Sequence, residues 1–289
     1  MLLHFDDERD YAARLATAAC LPLAPIERHR FPDGELKLRL PTPLPAHVVL
    51  LRSLHRPNEK LVELLLAART ARELGARHLT LIAPYLGYMR QDKAFASGEA
   101  VSQRVVGCWL AELFDALVTI DPHLHRVGSF KEAVPAGSAI ALSAAPLIGG
   151  SFSANDVLML GPDAEAEPWV RAAAAAAGCD SALCRKTRHG DRAVEVTLPA
   201  ASYDGRHVVI IDDVASTGHT LAAVARQVLA RGARRVDVAV THALLVDDAE
   251  AILRTAGVGD LISTDTVPHW SNRIGTADLI ACALRTLPR

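Results

Sequence analysis

The stretch His207 to Thr220, HVVIIDDVASTGHT, constrains the fold more than any other part of the chain. Val208 to Ile211 are consecutive β-branched apolar residues with no polar alternation. Such a run suits a strand buried on both faces, as in the centre of a parallel sheet covered by helices. Asp212 and Asp213 stop the run, and Ser216, Thr217, Gly218 and Thr220 lead into apolar residues at helical spacing, Leu221, Val224, Val228 and Leu229. The expected layout is strand, acidic loop, and a helix beginning between Thr217 and Thr220.

This layout suggests a chemistry. Backbone N–H groups at a helix start lack intrahelical acceptors and carry partial positive charge, so with hydroxyls beside them and a glycine permitting close approach they form an anion cradle suited to a phosphate monoester. The two carboxylates cannot bind phosphate. They can accept hydrogen bonds from vicinal hydroxyls or hold a hydrated cation. Together the parts describe a sugar-phosphate site, although each residue type alone is also an ordinary turn or cap residue after a buried strand.

Elsewhere the pattern alternates between apolar runs and helical periodicity. Val48 to Leu51 reads as a strand, Pro57 to Leu74 as a helix ended by Gly75, and His78 to Ala83 as a strand, which is a βαβ unit. Pro84 to Ala100 reads as a long loop, Val101 to Phe114 as a helix and Ala116 to Ile120 as a strand. A second series follows: strand Val157 to Leu160, helix Trp169 to Ala177, strands Ala182 to Lys186 and Ala193 to Leu198 around a polar loop, the opening strand and helix, strand Arg235 to Thr241, a helix near Asp247 to Thr255, and strand Asp260 to Thr264. Two α/β domains are expected, residues 1–145 and 146–289, with a last helix near 276–287 packing back on the first. Earlier, Pro32-Asp33-Gly34 marks a turn between strand-like pieces, read as a hairpin or loop at a sheet edge.

Composition excludes several classes. With 289 residues, 50% hydrophobic and 22% charged, the chain can bury a core, and a net charge of −2 supplies no reason to propose a nucleic-acid or membrane partner. The 5 cysteines are scattered without a CxxC pair, which reads as reduced thiols and no zinc site. No signal-like start and no long apolar run is seen, so a cytoplasmic location is expected.

The motifs FPDGE (31–35), YMRQDKAFASGEAVS (88–102), DPHLH (121–125), GPD (161–163), KTR (186–188), DDVASTGHT (212–220) and TDTVP (264–268) occur in an order that resembles the ribose-phosphate pyrophosphokinase family, with the archaeal-type members most similar. The resemblance covers nearly the whole chain. It implies two phosphoribosyltransferase-like domains, each a mainly parallel sheet flanked by helices. It also implies transfer of the diphosphoryl group of ATP to the C1 hydroxyl of ribose 5-phosphate. In that scheme Lys186 and Arg188 are catalytic, and Asp212, Asp213, Ser216, Thr217, Gly218 and Thr220 bind ribose 5-phosphate. Phe31, Asp33, Glu35, Arg90, Gln91 and Asp92 bind ATP, and His123 and Asp163 hold Mg²⁺, with His125 a less secure member. The FPDGE loop would reach a neighbouring subunit's adenine pocket, making the active site dependent on a dimer or higher assembly. A turn alone also explains Pro-Asp-Gly.

The chain departs from the family's pattern at Ala164-Glu165-Ala166-Glu167, where relatives carry glycines lining the pyrophosphate, at Ser216 in place of an Asp, and at His219 in place of a glycine. The alternatives are a phosphoribosyltransferase, disfavoured by the length and the ATP-type motifs, and a non-catalytic regulatory subunit, motivated by the altered loop.

Overall fold

The computed structural model describes residues 1–124, 127–152, 156–189 and 193–287, the side chains of 186–189 and 193–195 excepted. His125 therefore lies outside the described residues. The chain divides into two compact units, Met1–Leu142 with Thr276–Arg289, and Ser143–Gly275.

In the first unit the strands are β1 (Leu2–His4), β2 (Leu23–Pro25), β3 (Glu27–Arg30), β4 (Leu36–Arg39), β5 (His47–Leu51), β6 (His78–Ala83), β7 (Ala116–Ile120) and β8 (Ser138–Leu142). The helices between them are α1 (Arg9–Ala19), α2 (Pro57–Glu73), α3 (Ser102–Leu113) and the single turn α4 (Phe130–Ala133). Six strands form a sheet in the order β2-β1-β5-β6-β7-β8, with every adjacent pair parallel. The hairpin β3–β4 is a separate antiparallel pair rather than an edge of that sheet. Leu50, Leu79, Leu81 and Leu117 share a core with Leu64, Ala67 and Ala71 of α2 and Leu110 and Leu113 of α3.

The second unit repeats the plan. After α5 (Ala145–Gly150) come β9 (Val157–Gly161), α6 (Glu167–Ala177), β10 (Asp180–Leu183), β11 (Arg185–His189), β12 (Ala193–Thr197), β13 (His207–Ala215), α7 (His219–Ala230), β14 (Arg235–Ala243), α8 (Ala249–Thr255), β15 (Leu261–Thr264) and β16 (Asn272–Ile274). Its sheet runs β10-β9-β13-β14-β15-β16, again all parallel. The apolar run of β13 is explained by its two covered faces. Val208 and Ile210 pack with Leu221, Val224 and Val228 of α7, whereas Val209 and Ile211 pack with Val170, Ala173 and Ala174 of α6. The final helix, α9 (Ala277–Leu284), belongs to the first unit, where it packs against α1 and against β7 and β8. There Tyr11 and Thr276 share a hydroxyl hydrogen bond of 2.8 Å.

Two local expectations are corrected. Asp212 and Asp213 are not in a loop: β13 continues through them to Ala215, Asp212 pairing with Val240 and Ala215 with Ala243. The expected strand Ala182 to Lys186 is two elements: β10 ends at Leu183, and β11 starts at Arg185 and pairs antiparallel with β12 in a separate ribbon. Lys186 and Arg188 thus sit inside a strand, opposite Val196 and Val194, rather than at the mouth of a polar loop. Strand pairing carries the chain through Thr187 to His189 because the ribbon satisfies backbone groups that a loop would leave to solvent.

Candidate active site

In each unit the chain forms one strand, steps outward to its neighbour, and then returns to the other side, so the strand order reverses between β1 and β5 and between β9 and β13. The carboxyl ends of the strands flanking such a reversal leave a crevice where open α/β sheets bind ligands.

In the second unit that crevice carries Asp163, just after β9, and Asp212 and Asp213, on the last turns of β13's pleat. The backbone N–H of Asp213 donates to Oδ1 of Asp212 at 3.0 Å. Burial, reinforced by the negative charges of Asp213 and Asp163, raises the Asp212 carboxyl well above its usual range. The three carboxylates are therefore brought together electrostatically, and each gains from a cation or from hydroxyl donors placed among them. Asp163 also caps the following 3-10 turn, Ala164–Ala166, its Oδ1 accepting from the N–H of Glu165 at 3.0 Å. The turn runs into α6 with Ala166 buried, Glu165 exposed, and Glu167 paired with Arg171 at 2.7 Å. The departure from glycine is thus accommodated by a helical turn.

Beyond β13, Gly218 is the residue on which the loop depends. Its φ is +73°, and a Cβ there would lie 3.2 Å from the carbonyl oxygen of Ala249. Gly218 caps α7, its carbonyl accepting from Ala222 at 2.9 Å, while Leu244 and Val246 donate to the carbonyls of Ala215 and Ser216 and fix the loop from the β14 side. Thr217 and His219 are exposed, and Ser216 and Thr220 are partly so. Hydroxyls and the free N–H groups of the helix start therefore face solvent beside the carboxylates.

In the first unit, Arg90 and Gln91 line an open groove of about 680 Å³ with Pro57, Asn58, Tyr85, Tyr88, Glu99, Ala100 and Ser102. The loop reaches α2 closely because residue 87 is glycine: a Cβ there would stand 2.6 Å from the carbonyl oxygen of Leu54. Tyr88 adopts a φ of +66° and donates its hydroxyl hydrogen to Asn58. Asp92 is partly buried and is not among the residues lining the groove. His123, partly exposed, follows β7.

Gln103, which sequence reasoning passed over, holds these parts together. Its buried side-chain amide donates to the carbonyls of Met89 at 3.1 Å and His123 at 3.4 Å, and its N–H donates to the carbonyl of Gln91 at 3.1 Å. The signal was present: Gln103, Gly107 and Leu110 share the buried stripe of α3, where a polar residue needs a partner.

The hairpin tip carries Phe31, Asp33 and Glu35 on the surface. Phe31 is 39% exposed and meets the His29 ring edge-on, at 4.8 Å between ring centres. Asp33 accepts from the N–H of Glu35 at 3.2 Å. Among the described residues no group of three or more His, Cys, Asp and Glu side chains is arranged to hold a metal ion by itself, and no helix is long and apolar enough to cross a membrane.

Comparison with known proteins agrees with this architecture. Residues 1–113 match the family model for the N-terminal domain of ribose phosphate pyrophosphokinase, and residues 132–256 match the phosphoribosyl transferase domain. The fold is that of a phosphoribosylpyrophosphate synthetase from Mycobacterium smegmatis, with a TM-score of 0.83, 24% identity, and coverage of 99% of this chain and 97% of that one. The ribose-phosphate pyrophosphokinase of Methanopyrus kandleri is 37% identical over 95% of this chain and 94% of its own length. A second such enzyme from Archaeoglobus fulgidus is 37% identical over 93% and 94%. A chain that carries both domain matches in this order and shares more than a third of its residues with the Methanopyrus kandleri and Archaeoglobus fulgidus enzymes belongs to the ribose-phosphate pyrophosphokinase family.

Proposed function

We propose that the protein transfers the β,γ-diphosphoryl group of ATP to ribose 5-phosphate. The C1 hydroxyl oxygen forms a bond to the β-phosphorus, the bond from that phosphorus to the oxygen bridging the α-phosphate breaks, and AMP leaves. The observation that carries this reading is the second unit's crevice, where paired carboxylates at the end of β13 adjoin the N–H cradle capped by Gly218. Asp212 and Asp213 accept hydrogen bonds from the ribose hydroxyls, and Ser216, Thr217, Gly218 and Thr220 receive the 5-phosphate.

The first unit supplies the ATP side. Arg90 and Gln91 in the groove, with Asp92 behind them, hold the nucleotide. Phe31, Asp33 and Glu35 complete the adenine site from a neighbouring subunit, so the protein works as a dimer or higher assembly. Lys186 and Arg188 stabilise charge on the transferring group, a reaction governed by positioning and electrostatics.

The acidic second-unit crevice fits a divalent cation. Mg²⁺ keeps several waters and typically takes only one or two protein carboxylates together with substrate phosphates. Asp163 would hold it there, the cation's charge would neutralise the triphosphate, and His123 is proposed as a metal ligand of the first unit.

Incubation of purified protein with ATP, Mg²⁺ and ribose 5-phosphate is expected to yield AMP and phosphoribosyl pyrophosphate in equal amounts. Absence of both under varied divalent metals would reject the assignment and favour a regulatory subunit.

A further inference from the structure

The first unit has a crevice at the same topological position as the carboxylate site of the second. Asp7 and Glu8 follow β1 there, as Asp163 follows β9, and Arg52 follows β5, as Asp212 and Asp213 end β13. What occupies the first crevice is protein. Arg52 is 1% exposed, and its guanidinium contacts Oδ2 of Asp7 at 2.8 Å, Oε2 of Glu8 at 3.3 Å and Oε2 of Glu63 at 2.5 Å. It also lies over the Phe5 ring, 4.6 Å from its centre.

The same carboxylates hold the hairpin. Arg28 of β3 pairs with Glu63 and reaches Asp7 at 3.4 Å, and Arg30 pairs with Glu59 at 2.6 Å. Glu59 and Glu63 stand one turn apart on α2, whose first turn also supports the nucleotide groove. There Asn58 accepts from Tyr88, and Lys60 donates to the carbonyl of Ser53 at 2.6 Å. The hydroxyl oxygen of Ser53 accepts from the N–H of Tyr85, which lines the groove.

We propose that Arg52 is a positioning residue, an internal cation that fills the first unit's crevice and, through Glu63 and Asp7, anchors the β3–β4 hairpin so that its Phe31–Glu35 tip is held in place for the neighbouring subunit's adenine site. Without that cation Glu63, Glu8 and Asp7 repel one another, and Arg28 and Lys60 are left to offset them. The hairpin has few apolar anchors of its own, since most of its residues are exposed, so loss of the charge lattice frees the tip before it unfolds the sheet. This inference deepens the proposed function by assigning the ATP half of that site a support that makes no ligand contact.

The test compares Arg52→Lys, Arg52→Met combined with Glu63→Leu, and Arg28→Gln. Replacing Arg52 together with Glu63 removes one buried charge of each sign and leaves Glu8 beside Lys60, and Arg28→Gln alters only the hairpin's side while Arg52 stays in place. Each is read by amide hydrogen exchange over residues 27–39 and by KM for ATP and for ribose 5-phosphate. Expected are at least fivefold faster exchange in the hairpin and at least a fivefold rise in KM for ATP, with KM for ribose 5-phosphate unchanged and partial recovery in Arg52→Lys. Unaltered hairpin exchange in the folded variants, or equal rises in both KM values, would overturn the role. Failure of the wild-type protein to form product would instead reject the diphosphokinase reading, while hairpin exchange would still decide whether Arg52 positions the tip.

Discussion

Glu8 accepts the backbone N–H of Ser53 at 2.6 Å and lies almost wholly out of solvent. Burial pushes its carboxyl up from 4.5 to about 7, against the opposing pull of Arg52 and the Ser53 N–H. An acid whose folded-state pKa is raised binds more protons folded than unfolded. Its stabilising contribution is present below pH 4.5 and is lost as pH rises through about 7. Relative to Glu8→Gln, the wild-type protein should therefore lose up to about 3 kcal/mol between about pH 5 and about pH 8. Denaturant midpoints of the two proteins across that range check this, and parallel profiles would show that Glu8 stays ionised. Asp212 has the opposite use for its raised pKa: it gains most from donors that favour its charged form. Asp212→Asn with Asp213→Asn should raise KM for ribose 5-phosphate at least tenfold while changing KM for ATP little, as steady-state kinetics with each substrate varied will show.

At the scale of elements, continuous apolar runs made β6, β7 and the core of β13 legible, because burial on both faces removes the polar alternation that confuses strand with loop. The extension of β13 through Asp212 and Asp213 was not legible. Charged residues normally end a buried strand, and here pairing to β14 outweighs that preference. β8, with the sequence SAIAL, and β16, with NRI, are too short and too mixed to stand out, and they exist because a neighbouring strand offers a template. Strand ends bearing Asp163, Asp212 and Asp213 could be located from the motifs. The Arg52 lattice could not, since an arginine after VVLL reads as the strand's solvated end and its partners come from the turn after β1 and from α2. Gln103 was similarly concealed within α3. Gln103→Leu, which keeps volume but removes both amide donors, should leave α3 folded and loosen the loop at Met89 to Gln91. A rise of roughly tenfold in KM for ATP is expected, given that each lost bond leaves a buried carbonyl unpaired at about 1–3 kcal/mol. An unchanged KM would show the loop is held by other contacts.

At the scale of the molecule, the proposal that the hairpin tip serves a neighbouring subunit makes a prediction about mixtures. Phe31→Ala and Lys186→Ala, each weak alone, should recover activity when mixed under conditions that allow subunit exchange. Each mixed pair can assemble one site with both native residues. Activity no greater than the sum of the separate variants, with exchange verified by mass, would place Phe31 and Lys186 in the same chain's site.

The return of α9 to the first unit has a consequence for how the protein is made. Residues Ser143–Gly275 form an insertion within the first unit, whose sheet is covered on the α1 side by a helix that follows the second unit in the chain. The second unit can close its core while the chain is still emerging, since all its strands precede Thr276. The first unit began earlier but must wait with part of its apolar face open until α9 has been made. In the cell, the unit begun before the other is finished after it, and it is this unit that most needs protection on the ribosome.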